Sequence, residues 1–388
     1  LKLLFSFDHD EEEKIIINQL TINNPEEQKL SFAQERLWFI EKYEEGTNAY
    51  NIPMVFKVLN TTKLKILELS IRSIIERHEI LRTLIKEDDQ GSPYQCVLDD
   101  KKNPLAISKI KVKDKLELEK EIHKEVTYIY DLSHEHPIRA SFYELRKENG
   151  SYKECYLSII IHHIAFDGWS TDIFLKELQN YYTYHLDHSE GREAQLALPE
   201  LSIQYKDFAL WQRHYLTGEM LVNQLSYWKG KLSGYETLNL ITDKPRPSQI
   251  DYKGSDVLFE IDEETSIALR DLAKELKVSL YSLLLSGYYL MLRVYSHQED
   301  IVIGSPIANR HYSQIENLIG FFVNTLALRS KINPQETIKE YIQGVGREVV
   351  EAQLHQDLPL QRIVEKVKVD TGTSRHPSCQ VMFGVEWF

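Results

Sequence analysis

The stretch that decides how this sequence folds is Ile161-His162-His163-Ile164-Ala165-Phe166-Asp167-Gly168-Trp169-Ser170. The apolar, β-branched run at 155–161 predicts a buried strand that ends at this stretch. Beyond it we expect a helix that is capped by Ser170 and runs through Tyr182. A strand, a short loop and a helix therefore follow one another, and the loop holds two histidines and an aspartate.

The two adjacent histidines cannot easily serve one point in space, because successive strand residues face opposite sides. We expect one ring to face a cleft and the other to face the interior. The same argument disfavours zinc, because two ligands that point apart, with Asp167 on a turn, make a poor tetrahedral site. A neutral imidazole in the cleft can accept a proton from an amine near pH 7. Without further context, such a histidine pair is more often structural than catalytic.

Asp167 and Gly168 have expected roles in the loop itself. We expect Asp167 to brace the loop by pairing with a cation, and Gly168 to permit a tight turn.

The composition limits the class of protein. The chain has 388 residues, which exceeds what one core usually supports, so we expect two lobes. Forty-six basic against 59 acidic residues give a net charge of −13, which makes nucleic acid a poor partner. Three cysteines without metal-type spacing fit a reducing cytoplasm. The longest uncharged stretch of interest, at 279–292, is too short to span a bilayer, so we expect no membrane segment.

The pattern along the chain predicts three regions. Residues 1–28 are polar and include the acidic cluster at 8–13, and we interpret them as a linker or a remnant of an upstream domain. We place an N-terminal lobe at 29–200 and a C-terminal lobe at 201–388, with the polar stretch 185–200 as the boundary.

Hydrophobic periodicity predicts mixed helices and strands in both lobes. In the first lobe we expect a strand at 54–59 and a helix whose inward face carries Leu67, Ile71, Ile74 and His78. In the second lobe we expect strands at 256–261 and 301–304, a helix at 279–295, and a helix at 265–276 with Leu269, Leu272 and Leu276 inward.

The sequence stops on the strand-like run 380–388. Because domains rarely end within a strand, we expect native sequence to continue past Phe388 and the second lobe to be truncated at its C-terminal end.

Seven segments in order resemble the motifs of one family. The central segment matches His-His-x-x-x-Asp-Gly, the signature of condensation domains of nonribosomal peptide synthetases and of their chloramphenicol-acetyltransferase-like relatives, and it is followed by Trp169-Ser170 as in condensation domains. The seven segments are 31–39, 77–83, 161–170, 205–212, 319–325, 355–359 and 374–377.

The resemblance implies a fold and a reaction. The fold is α/β (α+β), with two acetyltransferase-like lobes in a V-shaped pseudo-dimer that enclose a tunnel holding the active site. An upstream donor carrier domain and a downstream acceptor carrier domain dock at opposite mouths, and each feeds in a 4′-phosphopantetheine arm. The acceptor amine attacks the donor thioester and an amide forms. The resemblance further implies that the domain itself binds no cofactor and needs neither ATP nor metal. An adenylation domain is the expected neighbour, and the excised domain is expected to be a cytoplasmic monomer.

The resemblance also implies roles for single residues. His163 corresponds to the active-site histidine, which either removes the amine proton or orients the amine, whereas His162 packs inward. Asp167 is structural but required and pairs with Arg310, and the Gly168 amide donates to the developing oxyanion. Residues implied to contact substrate are Asn324, Thr325 and Ser170. Gln34 and Arg36 are either tunnel-facing or structural.

Three related interpretations stay open beside the condensation domain. An epimerisation domain shares the histidine motif but moves a proton at the α-carbon, and a catalytically silent domain keeps the fold only to recruit a partner. A cyclising variant replaces both motif histidines, which this chain retains. The segment 320–328 resembles the subtype that accepts an L-configured donor.

Overall fold

The computed structural model describes residues 15–19, 24, 27–43, 46–146, 153–245, 254–367 and 379–385. They form two compact units. The first unit contains Leu1–Arg213 together with Arg310–Phe321, and the second contains His214–Asn309 together with Phe322–Phe388. Both units mix helices and strands.

The first unit is built around a four-stranded sheet with the strand order β1-β6-β5-β4 and a separate hairpin of β2 and β3. Its elements in chain order are α1 (Phe32–Tyr43), β1 (Asn51–Val58), α2 (Leu64–Arg77), β2 (Thr83–Glu87), β3 (Pro93–Val97), β4 (Ile107–Val112), α3 (Lys115–Val126), β5 (Ile138–Arg146), β6 (Lys153–His162), α4 (Gly168–Ser189) and α5 (Tyr205–Tyr215).

Strand β6 is the inner strand that carries the histidines. It pairs antiparallel with β1 on one side and with β5 on the other, while β4 joins the edge of β5 in parallel. Ile159, Ile160 and Ile161 are all fully buried, so side chains on both faces of β6 lie in the interior. Such an apolar run is typical of a strand covered on both faces. The last pair in the β1–β6 ladder joins Asn51 and His162, so the strand ends where the histidine motif begins.

The helices of this unit follow the predicted patterns. Leu67, Ile71 and Ile74 form the buried face of α2, as predicted, and α2 packs against α4. Helix α3 is capped by the Asp114 side chain, and it covers the sheet with Leu118. Helix α3 thus packs on the sheet that contains β6, and α2 packs on α4, which follows β6 in the chain.

The second unit is centred on the antiparallel pair of β7 and β8, with helices packed around it. Its elements are α6 (Gly218–Leu232), α7 (Glu263–Leu276), α8 (Leu280–Ser296), β7 (Asp300–Ile307), β8 (Asn324–Lys331), α9 (Ile338–Gln353) and α10 (Leu360–Val367). The predicted helices at 265–276 and 279–295 and the predicted strand at 301–304 correspond to α7, α8 and β7. Part of the strand-like run after 380 lies beside β7, where Met382 bridges to Gly304.

A segment from the second half of the chain returns to the first unit, and buried charges hold it there. Arg310 Nη2 donates to both carboxylate oxygens of Asp167, at 2.9 and 3.2 Å. Arg310 Nη1 donates to the carbonyls of Ile315 and Leu318 at 2.8 and 2.6 Å. The side chains of Asp167 and Arg310 are 0% and 1% exposed. One guanidinium therefore folds the segment 310–321 onto itself and fastens it to the start of α4.

The observed division differs from the predicted lobes in two places. The first unit extends to Arg213 instead of ending at 200, and it also takes in 310–321. Residues of α5 are tied to α1 in the first unit, because Gln212 accepts a hydrogen bond from Phe32 N and Arg213 donates to Leu30 O. The polar stretch at 185–200 is not a boundary, since α4 continues through Ser189.

Two local predictions for the second half are wrong. Residues 256–261 form no strand, and Val257, Leu258 and Phe259 are more than 80% exposed. No described strand lies beside them, and a strand needs a neighbour to satisfy its backbone. In α7, Leu276 is buried and Leu269 packs against the core as predicted, and only the placement of Leu272, which is 39% exposed, is wrong.

Some predictions fall outside the described residues, namely the acidic cluster at 8–13 and the motif segment at 374–377. Within the described part of the chain, no helix has the length and apolar character to cross a membrane.

The buried pair leads to a prediction about stability. Asp167→Asn or Arg310→Ala is expected to lower the free energy of unfolding by about 3 to 5 kcal/mol, because either change leaves a partner charge buried without compensation. Thermal or chemical denaturation of the purified domain measures this. The double variant should lose less than the sum of the single losses, because neither charge is then left alone.

Arg293→Ala is the matched control, since Arg293 pairs with Glu299 at the surface, with side chains 37% and 54% exposed. Its melting temperature should stay close to that of the parent chain. Equal effects of Arg293→Ala and Arg310→Ala would contradict the importance of the buried pair.

Candidate active site

The histidine motif adopts three conformations in succession. Strand β6 ends at His162, His163–Ala165 form a single 3-10 turn, and Phe166 and Asp167 are extended. Helix α4 then starts at Gly168, and its cap is Asp167, whose side chain accepts from Ser170 N at 2.9 Å. The prediction that Ser170 caps this helix is therefore wrong. Aspartate accepts the N3 amide here, as is usual for a capping residue.

His162 lies in the interior and is fully bonded. Its Nδ1 accepts from Ile164 N at 3.1 Å, so Nε2 carries the proton and donates to Glu41 Oε1, also at 3.1 Å. The His162 side chain is 0% exposed. Its ring therefore fixes the turn that follows the strand and links that turn to α1.

His163 has a different environment. Its backbone N–H donates to Tyr50 O at 2.8 Å, and its ring packs edge-on against Phe321, with 4.6 Å between ring centroids. Nδ1 is buried and makes no hydrogen bond with the described residues, whereas Nε2 is not buried in this way. The ring is thus half-buried and presents Nε2 as its accessible nitrogen.

The electrostatics of His163 favour the neutral ring. Burial lowers its pKa below the ordinary 6.5, and His162 acts in the same direction. The backbone carbonyls of His163 and Phe166 and the charge of Asp167 oppose this shift but do not cancel it. At neutral pH the imidazole therefore holds a free lone pair.

Ser170 is committed to the fold. Its Oγ donates to Asp167 Oδ1 at 2.7 Å and accepts from Arg310 Nη2 at 2.9 Å and from Gly320 N at 3.1 Å. It is 0% exposed. A hydroxyl has one donor and two acceptor positions, and all are used. The structure gives Ser170 a role in the fold, and its contact with substrate stays a prediction.

Gly168 is exposed at the first position of α4 and does not make a tight turn, because its φ lies outside the left-handed region. A Cβ atom at this position would meet nothing within 4 Å. The predicted conformational reason for glycine is therefore wrong, and what the position offers is open space beside a backbone amide that has no partner within the helix.

The structure assigns contacts to three residues beyond the motif for which the sequence predicted no site role. Phe321 touches the ring, and Tyr205 OH donates to the Phe321 carbonyl at 2.6 Å. Both lie inside segments that resemble family motifs, which is the signal that marks them. Glu177 binds Arg77 and His78 at 2.9 Å each, and nothing in the sequence pattern pairs residues so far apart.

The opening motif supplies a structural residue. Gln34 is 0% exposed, accepts from Ser31 N at 3.1 Å and donates to the Ile164 carbonyl at 3.3 Å. Of the two interpretations that stayed open, the structural one fits Gln34. Arg36 is half-buried on the same helix.

Asn324 and Thr325 belong to the second unit. Asn324 donates to the carbonyls of Gln356 and Leu358 at 2.8 and 3.0 Å and accepts from the amides of Thr325 and Leu360. All four of its hydrogen-bonding positions are therefore used within the protein, and its contact with substrate stays a prediction. Thr325 is half-buried in β8.

In the part of the chain that the structure describes, no three histidine, cysteine, aspartate or glutamate side chains come together in a metal-binding arrangement.

Two curated relatives are similar along most of this chain. N-(5-amino-5-carboxypentanoyl)-L-cysteinyl-D-valine synthase of Amycolatopsis lactamdurans is 41% identical over 357 residues, which are 92% of this chain and 9% of the relative. Malpinin synthetase of Mortierella alpina is 35% identical over 378 residues, which are 96% of this chain and 5% of the relative. The chain thus spans less than a tenth of each of these relatives.

Solved structures share the fold. The X-domain from teicoplanin biosynthesis superposes with a TM-score of 0.82 at 24% identity and covers 95% of this chain and 79% of its own. The condensation domain from the monacolin K polyketide synthase MokA superposes with a TM-score of 0.75 at 21% identity, over 91% and 80%. The fold is therefore that of condensation domains, with the mixed helices and strands of the chloramphenicol-acetyltransferase-like class.

The motif geometry and the sequence comparisons lead to one family. The sequence matches the family described as condensation domain over residues 24–388. This match covers more than nine-tenths of the chain, including the histidine motif and the segment 310–321. The chain belongs to the condensation-domain family of nonribosomal peptide synthetases.

Proposed function

We propose that this domain joins two carrier-bound acyl groups through an amide bond, with His163 at the reacting amine. The observation that carries the proposal is the state of His163, which presents Nε2 as an accessible and neutral nitrogen at the end of β6.

The proposed reaction is an acyl transfer. The acceptor's α-amine nitrogen attacks the thioester carbonyl carbon of the donor, and a C–N bond forms while the carbonyl oxygen takes up negative charge. The carbonyl then reforms, the C–S bond breaks, and the thiolate of the donor arm leaves. The proton lost by the amine ends on that thiolate, so the products are an amide and a free thiol.

His163 serves this reaction in one of two ways. Its Nε2 either accepts the amine proton in the transition state or holds the amine by accepting a hydrogen bond from it. Both roles need the neutral ring, which burial favours. An α-amine titrates near ~7.7 to 8.0, so part of it is already unprotonated at pH 7 and orientation accounts for much of the effect.

The Gly168 amide is the proposed donor to the developing oxyanion. It lies at the first position of a helix of 22 residues, where the amides point outward and the helix dipole favours negative charge. The open space beside its Cα lets a carbonyl approach closely. A side chain at this position would fill that space.

Asp167, Arg310 and His162 are proposed to act through the backbone. The Asp167–Arg310 pair fixes the loop between His163 and α4, and His162 fixes the turn that contains His163. None of the three is proposed to touch the substrate. Thr325 remains a proposed substrate contact, because its side chain is only half-buried.

The proposed partners follow from the family. Substrates are expected on 4′-phosphopantetheine arms of a donor carrier and an acceptor carrier, beside an adenylation domain, in the cytoplasm. The domain is expected to bind no resident cofactor and to act as a monomer when excised. The retained histidines and the segment 320–328 favour a condensation domain that accepts an L-configured donor.

Mass spectrometry of the product from two pre-loaded carrier proteins tests the proposal. An amide product supports it. Donor epimerised at the α-carbon without any amide would favour an epimerisation domain, and carrier binding without either product would favour a recruiting domain.

His163→Ala is expected to slow amide formation in single-turnover assays by roughly 10² to 10⁴-fold, because the group at the reacting amine is lost. Its melting temperature should change little, since the ring is half-buried and Nδ1 has no hydrogen bond to lose. Single-turnover rates and melting curves of the same preparations check both statements.

His162→Ala is the matched variant and should show the reverse pattern. Its loss leaves Glu41 and the Ile164 amide without their partner in the interior, so instability comes first and activity falls as a consequence. His134→Ala, at a histidine whose side chain is 73% exposed, serves as the neutral control. A folded but inactive His162→Ala beside a fully active His163→Ala would reverse the assignment of the two rings.

The pH dependence of the rate distinguishes the imidazole from the amine. Below the pKa of the amine, the logarithm of the rate should fall with a slope of about one as pH decreases. Below the pKa of His163, which lies under 6.5, the slope should approach about two because imidazolium has no free lone pair. In His163→Ala the second limb should disappear. A histidine-dependent limb with its midpoint above 6.5 would contradict the direction of the shift.

A further inference from the structure

We infer that Phe321 is a positioning residue for His163, and that three buried side chains, His78, Ser170 and Tyr205, hold the backbone that aims its ring. This inference rests on the proposed function of His163. It gives a role to the segment 310–321, which is distant in sequence from His163 but belongs to the first unit.

The backbone that carries Phe321 is fastened at each of three consecutive residues. Ile319 N donates to His78 Nδ1 at 3.3 Å. Gly320 N donates to Ser170 Oγ at 3.1 Å, and Gly320 O lies at the same distance from that hydroxyl. The Phe321 carbonyl accepts from Tyr205 OH at 2.6 Å. Three peptide groups in a row are thus bound by side chains from three different helical regions.

Each of these three side chains is itself held by a second buried partner. His78 Nε2 donates to Glu177 at 2.9 Å, because its Nδ1 is occupied as an acceptor. Ser170 binds Asp167, and Tyr205 accepts from Ser31 at 2.9 Å. Burial lowers the pKa of His78, which keeps Nδ1 unprotonated and able to accept. The segment therefore cannot shift without breaking buried hydrogen bonds.

The consequence at the active site is the contact between Phe321 and His163. The two rings meet edge to face, with centroids 4.6 Å apart and planes inclined at 66°. This arrangement is a favourable one for aromatic pairs. His163 Nδ1 makes no hydrogen bond with a described side chain, although the backbone carbonyls of His163 and Phe166 act on the ring. Packing against Phe321 therefore adds to the orientation of the ring.

The Phe321 ring covers part of the His163 ring, whose pKa is lowered by burial. The ionisable groups that act on His163 are Asp167, which favours the protonated ring, and His162, which opposes it. Arg310 is paired with Asp167 and reduces its influence. Removing the aromatic cover is therefore expected to let the pKa of His163 rise toward its ordinary value.

The test uses two substitutions at one position and a matched control. Phe321→Leu keeps an apolar side chain but removes the ring, whereas Phe321→Tyr keeps the ring. Phe142→Leu removes a buried ring from β5 in the same unit and controls for general loss of packing. Melting curves identify any variant that fails to fold.

Two measurements are made on each folded variant. The first is a pH titration of the His163 ring by NMR of histidine-labelled domain, with the resonance assigned by its absence in His163→Gln. The second is the single-turnover rate with loaded carriers at several acceptor-carrier concentrations. For Phe321→Leu we expect a raised pKa of His163 and a rate reduced roughly three- to tenfold, with half-saturation by the acceptor unchanged. Phe321→Tyr should restore both values.

The inference is overturned if Phe321→Leu titrates and reacts like the parent, or if Phe142→Leu changes both readouts equally. The titration does not depend on turnover. If the parent domain makes no amide but Phe321→Leu still shifts the titration of His163 and Phe321→Tyr does not, the proposed function fails while the contact stands.

Discussion

The buried ion pair between Asp167 and Arg310 is the interaction on which the rest of the site depends. It joins the start of α4 to residues that follow 143 positions later, and both side chains are almost fully excluded from solvent. Each charge alone would be costly in that place, so the two halves of the chain must meet for either to be tolerated. Asp167 also caps α4, so the same carboxylate sets where the helix begins.

A series of buried hydrogen bonds extends from this pair toward His163. Arg310 also closes the segment 310–321 through two carbonyls, and Ser170 transmits the arrangement to Gly320. The final element is the Phe321 ring beside His163. The ring of His163 packs edge to face against Phe321, and it is also influenced by the backbone carbonyls of His163 and Phe166. Burial outweighs the support that Asp167 and these carbonyls give to imidazolium, so the neutral ring is favoured, as the proposed amide formation requires.

The two adjacent histidines have different environments because the strand ends between them. His162 is the last residue of β6 and is fully bonded to Glu41 and Ile164, whereas His163 begins the 3-10 turn and keeps an accessible nitrogen. The structure also shows the local environments of three other residues that were predicted to contact substrate. Ser170 and Asn324 have every hydrogen-bonding position occupied, and Gly168 is helical instead of turning sharply.

The sequence alone determined the local order of strand, loop and helix, the buried character of β6 and α2, and the family to which the ordered motifs belong. These features depend on periodicity and on short-range spacing, which a linear pattern records. The resemblance to the family also implied that Arg310 is the partner of Asp167. Only the tertiary structure decided that 310–321 belongs to the first unit, that Glu177 binds His78, and that Phe321 covers His163. Those contacts join residues far apart in the chain, and their geometry is set by burial and by competition for hydrogen-bond partners, which no local pattern contains.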